Sequence, residues 1–494
     1  MRIVLNLVVA AACVSLVGVV SASCASTTCE GEGTCDPATR PGADGGPEGG
    51  ADVVAPPNCD LTKGPKDSPA CIDESVAVFV SPTGDDSATG TKSTPVKSIT
   101  KGVDLAASRG LPRVYVCEGN YDTNVVIKTA VSVFGGLTCG WSPADTARPK
   151  LAPPKGVALL VTKVTGGVII EDIDVTGSAD VGTPGDSATA AFVSGSANVI
   201  FRRTNLNGGA ATAGEKGASR SNYSGSTATV GGNANGALAG AGASCACIDA
   251  SSSKGGNGAA GNGADVSAGS SVPAIGVANS GSSNLTMCGD GTVGASGGAN
   301  AAGATVTGPG TLSEQGWSAM APAANAPNGS PAQGGGGGGA KTQGGTNAGG
   351  GGGCGGCGGA GGSSGKSGGS SFALLSFSST ITVDGGSLAT GAAGAGGPGG
   401  AGQDGQAGGG LGTGACNGGS GGNGAGGSGG GGGSGGHSVP IAFVGAEPQA
   451  TGATVTPGAK GGSGAGGQQG AGPGTAGTAG TSGPEGKAQK SLGL

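Results

Sequence analysis

The chain is organised around a short apolar unit that recurs. At Ala158–Val175 the sequence ALLVTKVTGGVIIEDIDV reads as two short strands turned at Gly166-Gly167. Aliphatic and β-branched residues favour strands, and a glycine pair favours a turn. The unit recurs at 190–207, 274–294, 373–391 and 441–461, with first strands ALLV, AAFV, AIGV, ALLS and IAFV. Successive first strands lie 32, 84, 99 and 68 residues apart. One turn of a stacked-strand coil needs only about 20 to 30 residues. The excess always follows the second strand, so it reads as insertion on one face of a repeating coil.

The insertions set the composition. Glycine supplies 119 of 494 residues, aromatic residues are 2% and charged residues 11%. An average chain has roughly 7% glycine and about 25% charged residues. A conventional core needs large apolar side chains, and these are concentrated between about Val76 and Phe201. Two readings of the glycine tracts stand side by side. One, the default, is flexible linker. The other is extended threefold strands lying side by side, because glycine at every third residue permits close packing. Gly474–Ala488 gives the triplets GTA, GTA, GTS, GPE and GKA. It is too short and too poor in proline for a collagen helix. The repetitive glycine resembles the PGRS-type glycine-rich surface proteins of some bacteria.

Met1-Arg2, the apolar run Ile3–Val20 and the small residues Ser21-Ala22-Ser23 read as a secretion signal over residues 1–23. Cys24 after these small residues resembles a bacterial lipoprotein signal, although Ser21 stands where that family prefers an aliphatic residue. The resemblance implies lipidation at Cys24 and a membrane anchor, and Ala25 after it implies outer-membrane sorting. The competing reading is ordinary cleavage near Ala22 and release. The expected location is the bacterial cell envelope, outer membrane or cell surface, with secretion as the alternative. Residues 24–58 carry Pro41, Pro47, Pro56 and Pro57 and almost no large apolar residue, so they read as a tether. Residues 59–206 are expected to be the folded core. Residues 207–494 are expected to be glycine-rich, with further rungs near 274–294, 373–391 and 441–461.

At Phe79–Gly110 the sequence is FVSPTGDDSATGTKSTPVKSITKGVDLAASRG. Thr94 as N-cap and Pro95 at the first position open a helix there. Val96, Ile99, Val103 and Ala106 recur at helical spacing, and Gly110 suits its left-handed end. Gly102 weakens that helix, so packing is expected to hold it. This passage resembles the entry of pectin-lyase-like right-handed parallel β-helix proteins over roughly Val78–Gly140. The resemblance implies an all-β, right-handed parallel β-helix, here with glycine-rich irregular insertions. It implies no particular activity, because that superfamily hosts lyases, hydrolases and adhesins.

Removing Cys13 with the signal and setting Cys24 aside leaves twelve cysteines, an even number in an exported chain. Disulfides are the default. Cys59 and Cys71 read as a local staple. Cys117 and Cys139, near one coil apart, are candidates to pair across stacked coils. Cys354-Gly-Gly-Cys357 and Cys245-Ala-Cys247 lie in glycine-rich sequence, and His437 is the only histidine. They therefore read as crosslinks, not as redox or zinc sites. Gly399–Ala407 half-matches a calcium nonapeptide, but it has no tandem copy.

Asp172, Asp174, Arg202 and Arg203 resemble in outline the acids and arginine of β-helix polysaccharide lyases. The plainer reading is a solvent-face ladder of ion pairs. Two Trp and three Tyr in the whole chain leave little for an aromatic sugar platform. A net charge of -6 offers no basic patch for nucleic acid. The expected role is structural or adhesive, with no catalytic activity and no cofactor. The candidate partners are the membrane through the anchor, extracellular polysaccharide and other surface proteins. A lyase or hydrolase using Asp172, Asp174 and Arg202/Arg203 is the alternative.

Overall fold

Stretches in which alternate residues are Val, Ile, Leu or Phe pair side by side, each burying one face on the next. The computed structural model describes residues 53–494 apart from 226, 248, 307 and 309. The signal, Cys24 and most of the tether lie outside the described residues. Regular structure is almost all β, with one α-helix and a short 3-10 turn at Pro69–Cys71.

The first strands in chain order are β1 (Ala77–Val80), β2 (Arg113–Cys117), β3 (Gly119–Tyr121), β4 (Val125–Ile127), β5 (Ser132–Leu137) and β6 (Pro149–Leu151). Two three-strand passes follow: β7 (Val157–Thr162), β8 (Val168–Glu171) and β9 (Asp174–Gly177), then β10 (Ala188–Ser194), β11 (Val199–Arg202) and β12 (Asn205–Gly208). Small elements interrupt: a three-stranded antiparallel sheet of β13 (Ser244–Ala246), β14 (Ser252–Lys254) and β15 (Ser270–Val272), and a hairpin of β16 (Thr311–Ser313) and β17 (Gly316–Ser318). The passes then resume with β18 (Ser371–Phe377), β19 (Ile381–Asp384) and β20 (Ser387–Thr390). The last pass is β21 (Ser438–Val444), β22 (Gln449–Thr451) and β23 (Thr454–Thr456), and β24 (Ser491–Gly493) follows.

Three parallel sheets result. Their strand orders are β1-β2-β5-β8-β11-β19-β22, β3-β6-β9-β12-β20-β23 and β4-β7-β10-β18-β21-β24. Each complete pass gives one strand to each sheet, a topology consistent with a β-helix. Register stacks like on like. Ile170, Phe201, Val383 and Ala450 align in the first sheet, and Val175, Leu206, Leu388 and Val455 in the second. Apart from Ala450, which is exposed, and Val455, which is partly buried, these ladder residues lie in the main apolar core.

The unit read as two strands is three. The single second strand expected at VIIEDIDV breaks at Asp172, whose φ is +55°. The next passes turn at Arg203 and Gly385, with φ of +48° and +70°. Asp and Gly tolerate this left-handed conformation and Arg does not advertise it, which hid the corner.

Helix α1 (Ile99–Ser108) also starts later than expected. Its N-cap is Ser98, whose side chain accepts from the Lys101 amide. Thr94 and Pro95 lie outside the helix because Val96 is already used as a strand residue, bridging Val80 and bonding Phe79 and Ser81. Gly102 is required by packing: a Cβ there would sit 2.5 Å from a Val80 methyl.

The stretch 274–294 gives no strand to the three sheets. Val277, Leu285, Met287 and Val293 are exposed. Gly281, Gly291 and Gly294 instead donate to Gly337, Asn417 and Ser420, so the glycine spacing outweighed the apolar residues between.

Candidate functional site: a covered ion cluster and a glycine-strand array

The charged candidates meet at the corner between the first two sheets. Register places Arg202 opposite Glu171, and Asn205 opposite Asp174. Asp172 is 1% exposed and is reached by Arg203 Nη2 at 2.8 Å, Arg148 Nη1 at 3.1 Å and Lys66 Nζ at 3.5 Å. Asp174 accepts from Arg148 Nε at 2.7 Å and Asn205 Nδ2 at 2.8 Å. Glu171, fully buried, accepts from Arg202 Nη1 at 2.9 Å and also from Arg203. Burial pushes the Asp172 carboxyl up, but the hydrogen bonds and charge of Arg203, with Lys66 and Arg148, more than offset this and hold it below the usual range.

The N-terminal segment lies over this cluster. A Cβ on Gly64 would overlap Glu171 Oε1 at 1.8 Å, so only glycine lets the main chain press on that carboxylate. The segment is fastened at several points. Arg113 donates to the carbonyls of Leu61 at 2.5 Å and Lys63 at 2.8 Å, Tyr115 donates to Cys71 O at 2.7 Å, and Cys59 is bonded to Cys71. Beneath it, Phe79, Tyr115 and Phe134 form a separate apolar cluster with Leu61. Asp172, Asp174, Arg202 and Arg203 are thus brought together, but they are mutually paired, and Glu171 and Asp172 are covered. Glu171, Arg148, Lys66 and Arg113 were missed from the sequence. Only Arg113, a charge inside the apolar run RVYVC, carried a signal.

Cys117, the last residue of β2, pairs with Cys139 in the turn that follows β5. Cys354 and Cys357 do not pair with each other. They join Cys245 and Cys247, and Cys288 joins Cys416. Among the described residues no group of His, Cys, Asp and Glu could hold a metal ion.

The glycine tracts form the larger assembly. They leave after β12, β20 and β23, the last three strands of one sheet. Along them the amides point in turn to three neighbours: Gly351, Gly352 and Gly353 donate to Gly232, Gly256 and Gly419. That is the three-residue period of a polyproline-II strand, which makes no hydrogen bonds within itself. Gly350, Gly353, Gly356 and Ala425's partner Gly359 donate to Cys416, Gly419, Gly422 and Ala425, so those two tracts run parallel. Gly397, Gly400, Gly409 and Gly412 donate to Lys366, Ser363, Cys354 and Gly351, so those two run antiparallel. The tracts approach so closely that a Cβ on Gly352 would lie 2.1 Å from Gly335 O. Of the two readings of these tracts, the ordered threefold strand is the one that matches the structure.

Residues 82–136, from just after β1 through α1 and β2–β4 into β5, match a family described as "Protein of unknown function (DUF1565)". That family is associated with parallel β-helix proteins. No curated protein and no solved structure is significantly similar to the chain.

Proposed function

We propose that the protein is an exported surface protein, anchored by lipid at Cys24, with a structural or adhesive role and no catalytic activity. Its right-handed parallel β-helix carries the glycine-rich insertions, which form a platform on one side. The observation that carries this reading is the array itself: three successive insertions leave one sheet and pack into a single body held by main-chain hydrogen bonds. Such a body is extended and low in charge, and a broad face of small side chains suits many weak contacts. Extracellular polysaccharide and other surface proteins are the partners this face fits.

A lyase using Asp172, Asp174 and Arg202/Arg203 would need those groups open to a polymer chain. Their mutual pairing and the covering of Glu171 and Asp172 favour a structural role for them. Two experiments test the proposal. Fatty-acid labelling of the expressed chain should be lost in Cys24→Ser. The purified protein should retard polysaccharide in affinity electrophoresis without releasing unsaturated sugar ends. Release of such ends, abolished by Asp172→Asn, would establish the enzymatic reading instead.

A further inference from the structure

Asparagine is a thermally labile residue, and most so before glycine. There the glycine main-chain nitrogen can close on the asparagine carboxamide with no Cβ of its own residue in the way. Seven such pairs occur in the sequence, with asparagine at 207, 235, 257, 262, 328, 417 and 423. The structure separates one of them from the other six.

In six the attacking nitrogen is engaged. Gly208 lies in β12, paired on both sides with β9 and β20. Gly258, Gly263, Gly329, Gly418 and Gly424 donate their amides to the carbonyls of Gly240, Ala260, Gly359, Gly412 and Gln406. Of these six glycines, all but Gly263 are buried. Their carboxamides are held as well. The side-chain oxygens of Asn257, Asn262, Asn328, Asn417 and Asn423 accept from the amides of Gly242, Ala264, Gly361, Gly414 and Gly408.

Asn235-Gly236 differs on every count. It opens the turn 235–238 that ends the tract leaving β12. Asn235 and Leu238 exchange main-chain bonds across this turn, and Ala348 and Gly261 donate to the carbonyls of Gly236 and Ala237. The Gly236 amide and the Asn235 side chain have no hydrogen-bond partner among the described residues. All four residues of the turn are exposed. A Cβ on Gly236 would meet nothing within 4 Å, so the backbone there stands clear of its neighbours.

We propose that Asn235 is the site at which the folded protein modifies itself, through a cyclic imide to aspartate and isoaspartate. The Gly236 nitrogen bonds Asn235 Cγ and the Cγ–Nδ2 bond breaks. The proton of the Gly236 amide passes through water to the departing nitrogen, which leaves as ammonia. Water then opens the five-membered ring. Attack at Cγ restores the ordinary main chain as aspartate. Attack at the Asn235 main-chain carbonyl carbon leaves the chain running through the side chain, as isoaspartate. Water is the only co-reactant. Each event adds a negative charge to a stretch with no charged residue between Arg220 and Asp249. The other pairs are spared because an amide bonded to a neighbour must first let go.

The test is peptide mass mapping with isoaspartate quantitation on the oxidised full chain, aged in mildly alkaline buffer with and without denaturant. In the folded chain, conversion at 235 should be at least about tenfold faster than at each of the other six pairs. In denaturant all seven should react at comparable rates. Asn235→Gln should remove the main acidic variant that ageing produces on isoelectric focusing. Asn235→Asp should focus with that variant and melt with the wild type. An Asn235 that stays intact in the folded chain while the denatured chain reacts, or conversion at any other pair matching it, would overturn the proposal.

Discussion

At the scale of single residues, the protein contrasts a buried charge with a missing Cβ. Asp172 is held by Arg203, Arg148 and Lys66. Replacing it with Asn keeps the left-handed corner, which Asn tolerates, but removes the carboxylate these cations share, leaving Arg203 to Glu171, Arg148 to Asp174 and Lys66 to Asp145. Asp172→Asn is expected to cost about 1–3 kcal/mol in denaturant unfolding, from the charge-assisted hydrogen bonds it weakens. Because the folded carboxyl titrates below its ordinary value, the stability it contributes is present above the unfolded pKa of about 3.9. It is lost as pH falls through the folded value. The gap between wild type and variant should therefore be steady near neutrality and close below about pH 4. Glycines divide as sharply. Gly352→Ala forces a Cβ to 2.1 Å from a carbonyl oxygen and should cost at least about 1–3 kcal/mol. Gly298→Ala meets nothing within 4 Å and should stabilise by about 0.4–1 kcal/mol through the unfolded chain. Thermal melts of the pair check both signs.

At the scale of elements, α1 illustrates why propensity misleads. Alanine exceeds glycine in helix propensity by about 1 kcal/mol, yet Gly102→Ala should lower the melting temperature, because the added methyl meets Val80 at 2.5 Å. The far glycine strands are tied by crosslinks between distant segments. Cys288 and Cys416 are 128 residues apart. Replacing both with Ser should lower stability by about 3–5 kcal/mol, with hydrogen exchange rising first around Cys416 rather than in the β-sheets. Much of this level was legible in the sequence. The strands at 158–161, 190–193, 373–376 and 441–444 lie within β7, β10, β18 and β21, because apolar alternation is a local signal. The third strand was hidden in the 190–207 pass because its corner falls on Arg203, a residue with no turn preference, whereas at Asp172 and Gly385 the corner residue is one that tolerates the turn. Residues 274–294 misled because four exposed aliphatics imitate a strand while the glycine phase places them in the array. The cation set around Asp172 was only half visible. Lys66 and Arg148 arrive from segments remote in sequence, and no spacing rule connects them.

At the scale of the whole molecule, order resides in two kinds of backbone lattice, one of strands and one of threefold chains. The amides of residues 349–354, buried and each bonded to a neighbouring tract, should exchange as slowly as those of β10 and β18. A flexible linker would exchange within the dead time, so hydrogen exchange with mass mapping of that segment decides the matter. Sequence favoured the flexible linker, because each tract's partners lie tens to hundreds of residues away. A subtler cue was present. The outermost tract at 474–486 spends one glycine per triplet, whereas 349–353 is glycine throughout. The density of glycine counts how many neighbours a strand must admit.

A lattice that repeats every three residues, with amides such as those of Gly350, Gly353 and Gly356 stepping along Cys416, Gly419 and Gly422, behaves like a reading frame. Adding or deleting one triplet slides a strand by a full repeat and returns every amide to an equivalent carbonyl. Adding one or two residues turns each Cβ-bearing position towards a neighbour's backbone. The insertions can thus lengthen or shorten over generations in steps of three without a compensating change elsewhere. Reach away from the strand stack is a freely adjustable dimension of this architecture, while its cross-section is not.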